Sequence, residues 1–178
     1  MKNLKYNPDS GFSLIEVVVA LLMIFFFTNV ALNMFVISGI FKKKAVQYTN
    51  AINLIQQDIE TIKSAADTYS LTPALNNTSC KPADIDKGMA TYFMSSLSIT
   101  ASANGTTYSP VAGTPKQVKG QYYWLLRNQK VSTDAPYNVL QLKYVVKTGT
   151  STDPTNTQTT LATSYMEVIP YASLQCPS

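Results

Sequence analysis

The sequence predicts an α+β protein in which a long N-terminal α-helix packs on a C-terminal antiparallel β-sheet. Three patterns support this fold class: an apolar run, an amphipathic repeat that follows it, and short segments rich in aromatic and β-branched residues in the second half of the chain. The 178 residues are enough for one globular domain and a membrane segment. We therefore divide the chain into a leader (1–11), a membrane-spanning helix (12–41), the amphipathic half of that helix (42–72) and a β-sheet domain (73–178).

The apolar run is long enough to span a bilayer, but a carboxylate lies near its start. Residues 17–27 are all apolar, and Lys42-Lys43-Lys44 ends the run. A spanning helix needs about 20 predominantly apolar residues. Glu16 lies at the mouth of the run, where a buried charge costs on the order of 2.5–3.5 kcal/mol. Some partner must therefore compensate Glu16.

The short polar leader argues against a conventional secretory signal peptide. Lys2 and Lys5 precede the apolar run, and no convincing small-residue cleavage motif follows it near residues 28–32. Cleavage in front of the run, between Gly11 and Phe12, is the alternative. It would leave the hydrophobic segment on the mature chain and create a new amine near Glu16.

The segment Gly11-Phe12-Ser13-Leu14-Ile15-Glu16, followed by Val-Val-Val-Ala-Leu, resembles the processing site of type IV pilins and pseudopilins. In that family a prepilin peptidase cuts after the glycine and methylates the new N-terminus. The resemblance implies a pilin-like fold, with residues 1–11 as a prepilin leader. It also implies cleavage between Gly11 and Phe12, N-methylation of Phe12, and Glu16 as the assembly carboxylate.

The function implied by the resemblance is that of a minor, low-abundance type IV pilin, a structural subunit that helps prime assembly of a pilus or is incorporated into one. The implied partners are the prepilin peptidase, other major and minor pilins through the N-terminal helix, and the inner-membrane assembly platform. The implied location is the inner membrane, with a periplasmic or extracellular C-terminal domain, and the pilus after assembly. Two alternatives stay open: a minor pseudopilin of a type II secretion system, and a non-polymerising single-pass membrane adhesin or sensor.

The second half of the helix is predicted from apolar residues spaced alternately by three and four positions. This stripe consists of Ala45, Tyr48, Ile52, Ile55, Ile59, Ile62, Ala66 and Tyr69. Pro73 ends the pattern. We expect a stripe of this length to pack on a sheet rather than in a coiled coil.

The chain has two cysteines, Cys80 and Cys176. In the oxidising periplasm that the resemblance implies, we expect them to form a disulfide. Closing a loop of about 100 residues stabilises the fold by up to about 4.7 kcal/mol in the chain-entropy model. Two free buried thiols are the alternative.

Five strands are predicted in the C-terminal part of the chain. They cover residues 91–94, 97–101, 121–127, 139–147 and 165–169. Residues 128–137 are expected to connect the third and fourth as a hairpin. Residues 71–87 are predicted to be irregular, and the Ser/Thr/Asn-rich tract 148–163 is predicted to be an exposed loop.

The composition argues against several classes of function. The sequence contains no histidine, which removes the commonest general base and the commonest zinc ligand, and its seven glycines are dispersed. Asp84 and Asp86 lack the ladder of oxygen ligands that calcium loops carry. The formal charge of +4 is not clustered as nucleic-acid binding requires. We therefore predict no enzymatic activity and no metal or other cofactor, and the sequence does not indicate a nucleic-acid partner.

Overall fold

The predicted α+β arrangement is confirmed: a long N-terminal helix packs on a C-terminal antiparallel sheet. The protein is described from a computed structural model, which describes residues 13–72, 79–99, 107–149, 152 and 159–176. Helix α1 covers Leu14–Thr68. By its internal contacts the chain divides into two units, Met1–Val46 and Gln47–Ser178, so the first part of α1 belongs to one unit and the remainder to the other.

The remaining elements all belong to the second unit. A single 3-10 turn covers Ile85–Lys87 and precedes α2. The helices and strands are α2 (Met89–Ser96), β1 (Ser109–Pro110), β2 (Lys116–Val118), β3 (Gln121–Val131), β4 (Leu140–Gly149), β5 (Thr159–Val168) and α3 (Tyr171–Leu174).

The sheet is antiparallel throughout and is built around β3 and β4. Its order is β1-β3-β4-β5, and β2 pairs with β3 as well. β3 and β4 form a ten-pair hairpin from Tyr122↔Gly149 to Val131↔Leu140. β5 pairs with the far side of β4, with a register shift between Val146 and Lys147. Alternate residues of β3 and β4 therefore share one face of the sheet.

The hydrophobic core lies between that face and residues 47–68 of α1. Strand residues in the core are Tyr123, Leu125, Val131, Leu140, Leu142, Tyr144, Val146 and Val168. From α1, Ile55 and Ile62 are 4% and 2% exposed. Each such buried aliphatic side chain contributes about 1.5–3 kcal/mol relative to an exposed one. Burial of this face holds the second half of α1 against the sheet.

The predicted stripe on α1 is correct near its centre and wrong near its start. Ile55, Ile62 and Ala66 are buried as expected, but Ile52 is 47% exposed and Ala51 is fully buried in its place. The spacing of 3.5 residues assumed for the stripe drifts by about 20° per seven residues against the 3.6-residue period of a straight helix. At about 100° per residue, residue 51 lies about 40° from the direction of Ile55 and residue 52 about 60° to the other side, so residue 51 is nearer to the buried face. Tyr48 and Ala45, at the start of the stripe, are also exposed.

The predicted strand at residues 91–94 is wrong, because this segment is part of α2. Met89, Ala90, Phe93 and Met94 are the buried residues of α2, and their spacing is that of a helix face. The predicted strand 97–101 is also wrong over residues 97–99, which form a turn and an irregular position, and residues 100 and 101 lie outside the described part.

A glycine in front of α2 permits a close backbone approach. A Cβ at Gly88 would lie 2.4 Å from the carbonyl oxygen of Tyr137. That carbonyl accepts a hydrogen bond from the Ala90 amide at 3.3 Å. The connection between β3 and β4 is thus held against the first turn of α2.

The three remaining predicted strands are confirmed and are longer than predicted. Residues 128–131 continue β3, so the hairpin connection is 132–139. Both ends of the predicted loop 148–163 belong to strands, since Thr148 and Gly149 end β4 and residues 159–163 begin β5. Apart from residue 152, the part of that tract between the strands lies outside the described residues. β1 and β2 are short and were not predicted.

Candidate functional site

The first described residues place Glu16 in the opening turn of α1. The carbonyl oxygen of Ser13 accepts hydrogen bonds from the amides of Glu16 and Val17 at 2.9 and 3.3 Å. A carboxylate in the first turn interacts favourably with the positive end of the helix dipole. Gly11 and Phe12, the predicted processing junction, lie outside the described residues.

The Glu16 side chain is exposed, and no cation of the described residues pairs with it. Within the described ranges, no basic group lies within 4.0 Å of its carboxylate, since the ion pairs there are Lys87–Asp84 and Arg127–Asp58. The helix itself therefore leaves this charge available to a partner.

The surface that follows Glu16 is almost entirely apolar. Large side chains are exposed on every side of α1 through Phe41, with Leu14 at 82% and Phe35 at 76% exposed. The helix is long and apolar enough to cross a membrane. A continuous apolar surface of this extent requires a lipid or protein environment to cover it.

Two polar residues within this surface are satisfied by the helix backbone. The Thr28 hydroxyl donates to the carbonyl of Ile24 at 2.7 Å, and the Asn29 amide donates to the carbonyl of Phe25 at 2.8 Å. Bonds of this kind reduce the cost of polar side chains in an apolar environment.

A disulfide joins Cys80 to Cys176, the pair predicted from the sequence. Two hydrogen bonds fix the same region to the end of α1. The amide of Ala172, in α3, donates to the carbonyl of Tyr69 at 2.8 Å, and the amide of Leu71 donates to the Gln175 side chain at 2.7 Å. The segment after β5 is therefore held covalently and by hydrogen bonds near the end of the long helix.

A largely buried ion pair, which was not predicted, connects α1 to the sheet. The Arg127 guanidinium Nη1 on β3 donates to Asp58 Oδ2 on α1 at 2.8 Å, with both side chains 13% exposed. Arg127 is the single arginine of the chain. An arginine within a strand of apolar residues was the available signal, but its partner depends on the packing of helix on sheet.

Tyr144 lies beside this ion pair in the core and is 1% exposed. Burial, and secondarily the nearby negative charge of Asp58, raise the pKa of the Tyr144 hydroxyl well above its usual value near 10. The hydroxyl has no hydrogen-bond partner of good geometry among the described residues. In the folded protein this hydroxyl therefore stays protonated to a higher pH than that of an exposed tyrosine.

The described residues offer no assembly of groups for metal-dependent chemistry. No cluster of three or more His, Cys, Asp or Glu side chains occurs among them. Asp84, considered for calcium, lies 3.9 Å from Lys87 with both side chains exposed. The features that stand out are therefore the apolar helix with Glu16 and the disulfide-closed domain.

No protein-family model, no curated protein and no solved structure matches the chain.

Proposed function

We propose that this chain is a minor type IV pilin, a membrane-anchored subunit that is processed by prepilin peptidase and then enters or primes a pilus. The observation on which the proposal rests is the position of Glu16 in the first turn of an exposed apolar helix, four residues after Phe12 of the Gly11-Phe12 junction. The disulfide-closed α+β domain supports it as well, because a disulfide suits an extracytoplasmic compartment.

In this proposal the apolar part of α1 has two successive environments. Before assembly it lies in the inner membrane, and the C-terminal domain lies on the periplasmic side. In the filament the same surface packs against the helices of neighbouring subunits, so the apolar area remains covered throughout. Packing of the apolar residues supplies most of the attraction between subunits.

In this scheme Glu16 sets the register between neighbouring subunits. Its carboxylate pairs with the N-terminal amine of Phe12 on an adjacent subunit, an amine that exists only after cleavage at Gly11. Loss of one partner leaves the other charge unpaired in a low-dielectric environment, at a cost of several kcal/mol. Register is therefore enforced by the penalty for misalignment rather than by net attraction.

Processing is tested by the intact mass and N-terminal sequence of the chain extracted from membranes. The proposal expects a chain that starts at Phe12 with an added methyl group. A chain that retains Met1 would instead favour a non-polymerising membrane adhesin or sensor.

Assembly is tested by the substitution Glu16→Ala, with Glu60→Ala as a matched control at an exposed position on the same helix. We expect normal membrane insertion of both variants but loss of Glu16→Ala from filaments sheared from cells. Incorporation of Glu16→Ala at the wild-type level would contradict the role assigned to this carboxylate. The ratio of this chain to the major subunit in the same filaments tests its minor status.

A further inference from the structure

A cavity of about 570 Å³ opens between α1 and the connection from β1 to β2. Its walls are largely aliphatic and include Leu54, Leu97, Ile99, Val111 and Leu125. The volume is within the range of about 300–1,000 Å³ that small-molecule sites occupy. The cavity is open to solvent on one side and is large enough to accommodate the apolar body of a small ligand.

Cationic groups outnumber anionic groups around this cavity. The described residues that line it include Arg127, Lys116 and a single carboxylate, Asp58. Arg127 and Asp58 neutralise each other at 2.8 Å, and Lys116 is exposed and outside any ion pair among the described residues. The described residues that line the cavity therefore carry one positive charge in excess.

The hydrogen-bond donors that are still available to a ligand in the cavity belong mainly to Arg127 and Lys116. The hydroxyls of Thr61 and Thr114 already donate to the carbonyls of Gln57 and Val111, at 2.8 and 2.7 Å. A guanidinium has five N–H donors, and the hydrogen bond from Arg127 to Asp58 uses Nη1. Arg127 and Lys116 can therefore still donate to an acceptor on a ligand.

A second cavity of about 190 Å³ continues along α1 and shares Leu54, Gln57 and Lys116 with the first. It is lined by Asn50 and Asn53, whose amides can both donate and accept hydrogen bonds as a peptide group does. Lys116 lies at the junction of the two cavities, where a ligand extending through both would contact it.

We propose that this pair of cavities binds a ligand that combines an apolar body with a carboxylate. The aliphatic walls enclose the apolar body, and Lys116 and Arg127 bind the carboxylate. Either the C-terminal end of a peptide or a non-peptide carboxylic acid has this chemistry. All residues of the site belong to the second unit, whereas Glu16, to which the proposed function assigns assembly, belongs to the first.

The test uses the full chain in lipid nanodiscs with ¹³C-labelled isoleucine methyl groups. Ile99 lines the larger cavity, whereas the exposed Ile169 does not and reports non-specific adsorption. The probes are N-acetyl-leucyl-leucine and its C-terminal amide, and 4-phenylbutyrate and 4-phenylbutanamide. We expect saturable shifts of the Ile99 methyl with the acids, weaker binding of the amides, and no response of Ile169. The tighter acid identifies the source as peptide or non-peptide.

Lys116→Gln is the decisive variant, because Lys116 is exposed and its replacement leaves the core intact. We expect Lys116→Gln to weaken acid binding roughly threefold, the effect of removing one exposed charge. The control is Lys130→Gln, because Lys130 is an exposed lysine of the same sheet that does not line the cavities. We expect this control to bind the acids as the wild type does. Equal binding of acid and amide, absence of a saturable Ile99 shift, or equal weakening by both lysine variants would overturn the proposal.

Discussion

Asp58 and Arg127 each keep only 13% of their side chains exposed, so both charges have lost most of their hydration on folding. The Coulomb attraction between them offsets part of that loss. A pair of well-packed apolar residues at the same two positions would stabilise the fold about as much, so the ion pair is not a source of large net stability. Its effect is to select one alignment of α1 on β3, since any other alignment leaves both charges buried and separated.

We predict that Arg127→Met destabilises the fold by about 3–5 kcal/mol, because it leaves Asp58 buried without a counter-charge. The double variant Asp58→Leu/Arg127→Met should recover most of that loss. Urea unfolding followed by the fluorescence of Trp124, the only tryptophan and 6% exposed in β3, measures both. Lys130→Met, at an exposed position on β3, is the control and should change stability by less than about 0.5 kcal/mol. A double variant as unstable as the single one would contradict the explanation.

Ionisation of Tyr144 makes the free energy of unfolding depend on pH in the alkaline range. Its pKa is raised in the folded protein, first by burial and then by the charge of Asp58. Above pH 10 the unfolded chain releases this proton while the folded protein retains it, so the free energy of unfolding falls as the pH rises. Below pH 10 both states hold the proton and the group contributes no slope.

We predict that Tyr144→Phe reduces the loss of stability between pH 10 and pH 11.5. Unfolding free energies of the two proteins should differ by a constant amount from pH 7 to pH 9, and above pH 10 that of the wild type should fall relative to that of Tyr144→Phe. All other tyrosines are common to both proteins, so the difference isolates Tyr144. Curves that stay parallel to pH 11.5 would show that Tyr144 ionises normally in the folded state.

At the scale of elements, the sequence predicted secondary structure correctly in segments where a single hydrophobic pattern dominated. The apolar run and the residues around Ile55 and Ile62 identified α1, and the dense apolar segment at 121–127 identified β3. α2 was misread because residues 91–94 are rich in aromatic and β-branched types that favour strands. The buried face of α2 also includes Met89 and Ala90, and these two residues lie before the segment 91–94 that was assigned to the strand.

The candidate sites also differ in how far they could be predicted from the sequence. Glu16 and the two cysteines are visible as local patterns, because each is an unusual residue in its surroundings. The Asp58–Arg127 pair and the cavity beside it depend on the register of β3 and on the rotation of α1 about its axis. A rotation error of one residue, as at Ile52, is enough to hide which helix residues face the sheet.

We predict that the double variant Cys80→Ser/Cys176→Ser loses up to about 4.7 kcal/mol, the chain-entropy contribution of a loop of this length. The sequence separation of the cysteines is 96. Hydrogen exchange should accelerate first at the amides of Leu71 and Ala172, whose hydrogen bonds hold the closed region to the end of α1. Unchanged protection of these two amides would show that the hydrogen bonds hold the segment without the covalent link.

At the scale of the whole molecule, the apolar surface and the hydrophobic core belong to different units. The core cluster begins at Ala51, whereas the exposed apolar residues of α1 lie mainly before Lys42. Folding of the second unit therefore does not require the first to be covered.

We predict that residues 47–178, produced in an oxidising compartment, fold as a water-soluble monomer. The free energy of unfolding should match that of the full chain in detergent within about 1 kcal/mol, since no core residue is removed. Trp124 fluorescence and analytical ultracentrifugation measure the two properties. An aggregated or loosely packed product would show that residues before Gln47 contribute to the core.

The covalent link between Cys80 and Cys176 also determines how the protein carries a tensile load. The closed loop contains α2, every described strand and α3. A force applied between α1 and the residue at position 176 therefore passes through the sulfur–sulfur bond and bypasses the sheet. Strands inside the loop are spared from shear, and the polypeptide can lengthen only in the part that precedes Cys80.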